Sequence, residues 1–163
     1  ACITPQGPAG IGLKLEMLAR HGQKAVFFVD PMPALVWGLA AIEDIVGPII
    51  AAGQDVQLHC HTEWLEHAGS ASPLASRRTG RNLADFPLED QCAILSYARD
   101  TLMAAGAPAP VAFRAGNYGA NDDTLRALAM TDSISLFAVL RCSTNSSVCL
   151  SMRFWRLSRR PVK

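Results

Sequence analysis

The 163-residue chain lacks long apolar stretches. Its longest uninterrupted apolar runs, residues 25–29 and 136–140, are far shorter than the roughly 20 residues that a membrane-spanning helix needs. The first residues also lack a positively charged segment followed by an apolar one, which is the pattern of a secretion signal. We therefore expect a protein without a membrane span and with a cytoplasmic location.

Cysteine pairs with metal-binding or redox spacing are also missing. The five cysteines are Cys2, Cys60, Cys92, Cys142 and Cys149, and no two of them form a C-x-x-C motif. An odd number without a secretion signal favours reduced thiols over a disulfide framework. Cys60 stands apart because it lies between two histidines.

Glycine and acidic residues become scarce toward the end of the chain. All 12 glycines lie at or before Gly119. Residues 1–130 hold 9 basic and 13 acidic residues, a net charge of −4, whereas residues 131–163 hold 6 basic residues and one acid, a net charge of +5. Because turns depend on glycine, this break predicts one domain over 1–130 followed by a basic tail over 131–163.

The composition is otherwise that of a folded α/β protein, with half of the residues apolar and 18% charged. Helical spacing of apolar residues, followed by glycine, predicts helices near 10–22, 39–52 and 88–105, and a further helix that begins at Asn121. Short apolar runs predict strands near 24–29, 54–59 and 110–114. This alternation indicates right-handed βαβ crossovers and parallel strands, as in part of a larger α/β barrel or layered sheet.

Two histidines lie at the end of the second predicted strand. His59 and His61 are separated by one residue, so both side chains point to one side of an extended segment and can reach one metal ion. Glu63, four residues after His59, is a third candidate ligand. The alternative is a hydrogen-bonded core histidine at 59 and a surface histidine at 61. The position favours the metal site, because active residues of parallel α/β folds gather where strands end.

The third predicted strand ends in a second group of candidate residues. Arg114 closes the strand, and a buried arginine needs a carboxylate, a phosphate or a path to solvent. Gly116 and Gly119 allow the backbone to approach a ligand closely. We regard Gly116 and Asn117 as candidate substrate-binding residues, although a salt bridge beside an ordinary loop would explain the same pattern.

These segments together resemble the polysaccharide deacetylase (NodB-homology) family of metal-dependent carbohydrate esterases. The resemblance covers residues 10–130 and rests on three stretches in the family's order and spacing: KAVFFV at 24–29, AAGQDVQLH at 51–59 and FRAGNYG at 113–119. It implies a fold that is part of an irregular (β/α) barrel. It also implies a divalent metal, usually zinc, held by one aspartate and two histidines.

The family's residue roles carry over to several positions of this chain. His59 matches the first histidine of the family's H-[ST]-x-x-H motif, and the second falls at Glu63, so either Glu63 or His61 is the second ligand. Imidazole suits zinc well, which favours His61 slightly. By resemblance, Arg114 orients the catalytic aspartate, and Tyr118 offers its backbone N–H to the developing oxyanion.

The resemblance implies a hydrolase of carbon–nitrogen bonds that removes N-acetyl or related acyl groups from a carbohydrate, or another N-acylated small substrate, by metal-activated water. The family's Asp-Asp base motif should precede the first helix, but residues 1–9 contain no acid, and Asp30 lies one strand too late. Its histidine acid should follow Met130, but the last histidine is His67. We therefore expect a truncated, impaired form, in which 131–163 is a frameshifted segment or a genuine divergent tail.

Two other functions fit the same residues. A His-x-His at a strand end also marks amidohydrolase-type metal hydrolases, although those place it on their first strand. A non-catalytic remnant that binds metal or carbohydrate would need neither the base nor the acid. Nucleic acid is not an expected partner, because basic and aromatic residues do not interleave in the folded part. The sequence carries no signal for an oligomeric state.

Overall fold

The computed structural model describes residues 2–5, 7–131, 136–140 and 152–156. Of the predicted basic tail at 131–163, only Thr131 and two strands fall within these ranges. Residues 132–135, 141–151 and 157–163 of that tail lie outside the described residues, so the expectation of a frameshifted segment or a genuine divergent tail stays a prediction.

The chain begins with an antiparallel hairpin and then alternates between helices and strands. The hairpin consists of β1 (Cys2–Thr4) and β2 (Gly7–Ala9). The helices are α1 (Ile11–Arg20), α2 (Ala34–Trp37), α3 (Ala40–Ala51), α4 (Leu88–Ala104) and α5 (Asp122–Met130). The remaining strands are β3 (Val26–Val29), β4 (Asp55–Cys60), β5 (Ala112–Ala115), β6 (Leu136–Leu140) and β7 (Met152–Arg156).

Local sequence explains where the helices end and begin. Gly53 follows α3 with a φ of +65°, and the N–H of Gln54 reaches back to the carbonyl of Ile49 at 3.1 Å. Glycine suits this position because a side chain would strain the left-handed backbone. Asn121 caps α5 as predicted: its side chain accepts from the Thr124 N–H at 3.0 Å, and the Thr124 hydroxyl accepts from the Asn121 N–H at 3.1 Å.

The last five strands form one sheet in the order β3-β4-β5-β6-β7. The first four are parallel and β7 is antiparallel, so the parallel strands predicted near 24–29, 54–59 and 110–114 are confirmed. Each parallel strand lies next to the one that precedes it in the chain. Because right-handed crossovers that all run in one direction along a sheet place their helices on the same side, the helices are expected on one face of this sheet. Within the described residues the sheet is open, with β3 and β7 at its edges, and a closed barrel is not formed.

One face of the sheet packs against the helices and forms the core. It contributes fully or nearly fully buried side chains from three strands: Val29, Val56, Leu58, Cys60, Phe113 and Ala115. The helices contribute Ile42, Val46, Ile49, Ile94, Leu95, Leu102 and Leu128. Because side chains alternate along a strand, the other face carries the polar positions, including Gln57, His59 and Arg114. No helix in the described part of the chain is long and apolar enough to cross a bilayer.

Two local features were not predicted from the sequence. The first is the β1–β2 hairpin ahead of α1. The second is α2, a single turn that follows Asp30 and contains the exposed side chain of Trp37. Pro48 lies inside α3 without ending it.

Candidate functional site

Polar side chains from three neighbouring strands meet at the carboxyl edge of the sheet. Val29 pairs with Leu58, so the next residues, Asp30 and His59, are neighbours, and His59 pairs with Arg114. In-register residues of parallel strands point to the same face. Asp30, His59 and Arg114 therefore form a row on the face opposite the core. His61 follows one residue beyond the end of β4.

The imidazole of His59 is fixed by the backbone of the neighbouring strand. Its Nδ1 lies 2.7 Å from the carbonyl oxygen of Arg114. A carbonyl only accepts hydrogen bonds, so Nδ1 carries the proton and Nε2 keeps a lone pair. Burial lowers the pKa of His59, and the charges of His61 and Arg114 act in the same direction, against the opposite effect of the Arg114 carbonyl. This environment favours the neutral imidazole that a metal ion requires.

His61 is fixed by a side chain rather than by the backbone. Its Nδ1 lies 3.2 Å from Oε2 of Glu63, and its ring centroid lies 4.7 Å from that of His59 at an interplanar angle of 84°. The Oε1 of Glu63 accepts a hydrogen bond from the Asn117 side-chain amide at 2.6 Å. Both oxygens of Glu63 are thus engaged by protein groups. A carboxylate on Nδ1 leaves Nε2 of His61 as the nitrogen available to a metal.

Hydrogen bonds also set the charge of Glu63. Burial pushes the pKa of Glu63 upward, but the bonds from Asn117 and His61 outweigh it, and the pKa is lowered from its ordinary value. Glu63 is therefore an anion that joins the loop after β4 to the loop after β5. It orients His61 on one side and Asn117 on the other.

Asp30 is the residue that the sequence analysis missed. Its Oδ1 accepts from the N–H of Met32 at 3.1 Å and of His61 at 3.4 Å, and its Oδ2 accepts from Nε1 of Trp64 at 3.1 Å. Burial raises the pKa of Asp30 to about 6, although these hydrogen bonds lower it. The sequence feature that could have identified Asp30 is an acidic residue directly after a buried strand. The family resemblance pointed elsewhere, because the family places its aspartates one strand earlier.

The segment that follows β5 has an unusual backbone. Asn117 and Tyr118 have φ values of +52° and +55°, in the left-handed region that a tyrosine rarely adopts. The Asn117 side-chain amide also donates to the carbonyl of Arg81 at 3.1 Å. Arg114 donates to the Tyr118 hydroxyl at 3.2 Å, with its guanidinium 5.7 Å from the ring centroid. Among the described residues, Arg114 forms no ion pair with a carboxylate.

Gly116 allows this segment to pack directly against the histidine loop. A Cβ at position 116 would lie 2.5 Å from the carbonyl oxygen of Cys60 and 2.9 Å from Cγ of His61. Cβ atoms do not approach other heavy atoms this closely in proteins, so this position requires glycine. Gly116 is buried, and its nearest neighbours are atoms of Cys60 and His61 at the end of β4. Its contribution is to hold His61 in place by close packing.

Cys60 points away from the site into the core. It is buried, and burial raises the pKa of its thiol well above the ordinary value. Cys60 and the partly buried Cys92 are free thiols. A protonated, inaccessible thiol is a poor nucleophile and a poor metal ligand, so Cys60 serves packing.

The two imidazoles suit a zinc ion because the Nδ1 of each ring has a protein partner, which leaves Nε2 as the nitrogen that faces no partner among the described residues. In the described segments, no group of three or more histidine, cysteine, aspartate or glutamate side chains is arranged to hold a metal ion. A metal bound here would thus have two protein ligands and would complete its coordination with water.

Comparison of the chain with protein-family models, with curated proteins and with solved structures found no match.

Proposed function

We propose that this chain is a metal-dependent hydrolase-like protein of the polysaccharide deacetylase type, with a site built for N-acetyl or related acyl groups of a carbohydrate. The observation that carries this proposal is the His59–His61 pair, in which each Nδ1 has a protein partner. The Arg114 carbonyl and the Glu63 carboxylate are those partners. The same orientation of imidazoles by carbonyl or carboxylate groups is general in protein zinc sites.

His59 and His61 are the proposed ligands, through Nε2 of each ring. Glu63 is assigned the orienting role instead, because its two oxygens already accept from His61 and Asn117. When bound, zinc supplies a water of lowered pKa and polarises the acyl carbonyl. With two protein ligands, the affinity for zinc is expected to be weaker than that of a three-ligand site.

Asp30 is the proposed proton acceptor. Its carboxylate lies against the backbone of His61, and Oδ2, which accepts one hydrogen bond from Trp64, keeps a second lone pair. A carboxylate at this position can take the proton of the attacking water. It fills the base role for which the sequence offered no aspartate ahead of α1.

Arg114 and Tyr118 are proposed to contact the acyl group. Arg114 is exposed and uses one N–H on the Tyr118 hydroxyl, and a guanidinium has further N–H groups that can stabilise a developing oxyanion. The chain has no histidine beyond His67 to protonate the leaving amine. Binding without measurable turnover is therefore the expected behaviour of these 163 residues.

Zinc titration against a chromophoric chelator tests the proposal. The wild-type chain should bind one zinc ion with micromolar rather than nanomolar affinity, and both His59→Ala and His61→Ala should abolish this binding. His67→Ala is the matched control, because His67 is exposed outside the pair. Failure of the folded wild-type chain to bind zinc, or binding that survives both substitutions, would overturn the proposal.

Acetate release from tri-N-acetylchitotriose separates the possible activities. None is expected from the zinc-loaded chain. Zinc-dependent release that is lost in Asp30→Asn would confirm the reaction class and contradict the expected impairment. Release that does not depend on zinc would contradict the metal-dependent mechanism.

A further inference from the structure

Two tryptophans lie beside the histidine pair and have no part in the proposed chemistry. Trp37 ends α2, after β3, and Trp64 lies in the 3₁₀ helix Thr62–His67, after β4. Their ring centroids are 4.9 Å apart with an interplanar angle of 69°. Trp37 is 62% exposed. A large indole surface is thus kept in water at the edge of the sheet where the polar row lies.

Both rings are held in position by short, anchored segments. Leu35 of α2 is buried, and so are Thr62 and Leu65 on either side of Trp64. The Thr62 hydroxyl donates to the carbonyl of Gly80 at 2.9 Å. The indole N–H of Trp64 donates a hydrogen bond to Oδ2 of Asp30, with 3.1 Å between Nε1 and Oδ2, and this bond fixes the orientation of the ring. A rigid aromatic surface loses little conformational entropy when a ligand binds.

We propose that the exposed indole of Trp37, supported by the ring of Trp64, is a stacking platform for a pyranose ring of the carbohydrate, next to the His59–His61 pair. A pyranose ring has one face of C–H groups and a rim of hydroxyl groups. The negative face of an indole ring attracts polarised C–H groups. Hydroxyl groups at the rim need hydrogen-bonding partners, and the carboxylates of Asp30 and Glu63 and the imidazole of His61 stand on the same loops.

The arrangement suits a sugar better than a purely apolar ligand. The hydroxyl groups of a sugar can replace water at the half-exposed side chains of His61 and Glu63, which a purely apolar ligand cannot do. The inference that the sugar is N-acetylated rests on the proposed function. The platform itself depends only on the two tryptophans, so the two ideas can fail separately.

Saturation-transfer difference NMR of tri-N-acetylchitotriose with the metal-free chain tests the platform. We expect saturation of the ring C–H protons in wild type and about tenfold weaker binding in Trp37→Ala, which corresponds to the upper range of an aromatic stacking contact. Trp37→Phe retains an aromatic face and should keep most of the affinity. Met103→Ala, at an exposed apolar residue of α4, is the matched control and should bind as wild type does. N-acetyl-L-alanine, which has the amide but no sugar ring, should show no saturation.

The platform is refuted if wild type does not bind the trisaccharide, or if Trp37→Ala binds it as tightly as wild type. Circular dichroism checks that each variant is folded. Zinc affinity, measured in parallel, should be the same in Trp37→Ala and wild type. Sugar binding without zinc binding would leave the platform standing and refute the metal site, and the reverse result would refute the platform alone.

Discussion

Nδ1 of His59 lies 2.7 Å from the carbonyl oxygen of Arg114, so the arginine segment fixes the histidine through its backbone and not through its guanidinium. The two residues are neighbours because β4 and β5 pair in parallel register at this position. The side chain of Arg114 points to Tyr118 and acts on His59 only through its charge.

Replacing the arginine side chain should therefore change the pKa of His59 but not its tautomer. Burial is the main cause that lowers the pKa of His59 below its ordinary value of 6.5, and the Arg114 charge adds to it. In metal-free Arg114→Gln, the pKa should rise toward 6.5 and stay below it, with the proton of the neutral ring still on Nδ1. Long-range ¹H–¹⁵N spectra over a pH titration report both properties. A ring protonated on Nε2 in either chain would contradict the assignment.

Glu63→Gln distinguishes an orienting carboxylate from a metal ligand. If Glu63 orients His61, the variant should bind zinc about 10- to 100-fold more weakly, as is usual when a partner of a ligand is changed, but binding should persist. His61→Ala should abolish it. Glu66→Gln, on the same 3₁₀ helix and exposed, is the control and should bind like wild type. Complete loss in Glu63→Gln with retention in His61→Ala would reverse the two roles.

The order of elements was predictable because it depends on local patterns. These patterns extend over only a few residues of sequence. They are the glycine after each of the first helices, the apolar run before Asp30 and the helix cap at Asn121. α2 was missed because it is a single turn. The segment that leads into α2 also depends on a distant contact. The Asp30 side chain accepts a hydrogen bond from the N–H of Met32, two residues before α2, and another from the indole N–H of Trp64, 34 positions away.

The candidate site was predictable in part for the same reason. His59 and Arg114 could be placed at one edge of a sheet because parallel strands end together. The groups that hydrogen-bond to the site residues could not be predicted. The partner of His59 is a backbone carbonyl, which has no sequence signal, and the hydrogen bond between Glu63 and Asn117 joins two loops 54 positions apart. The family resemblance placed the aspartates ahead of α1, whereas the structure has Asp30 beside His61, after β3.

Asp30 should make the stability of the metal-free chain depend on pH. Burial raises its pKa from 3.8 to about 6, so the folded state binds the proton more tightly than the unfolded state does. Stability is therefore lost as pH rises through this interval, by about 3 kcal/mol at most. Asp30→Asn removes the ionisation, and its free energy of unfolding relative to wild type should increase from about pH 4 to about pH 7.5.

Urea unfolding in the presence of a chelator measures this difference. Lost hydrogen bonds in Asp30→Asn add an offset that does not vary with pH, so only the change between the two pH values is informative. Asp44→Asn, on the exposed surface of α3, should show no such change relative to wild type. A constant difference between Asp30→Asn and wild type would mean that Asp30 has no raised pKa in the folded chain.

Gly116→Ala tests whether close packing of the β5–α5 segment holds His61 in place. The added methyl group would lie 2.5 Å from the carbonyl oxygen of Cys60, a backbone atom that cannot move without disturbing the end of β4. We expect a loss of about 1–3 kcal/mol in the free energy of unfolding and weaker zinc binding. Gly12→Ala is the matched control, because a Cβ there meets no atom within 4 Å inside α1. Alanine at that position of the first helical turn should not destabilise the chain and should leave zinc binding unchanged. Equal stability and equal zinc affinity in Gly116→Ala and wild type would show that the His61 ring does not depend on this contact.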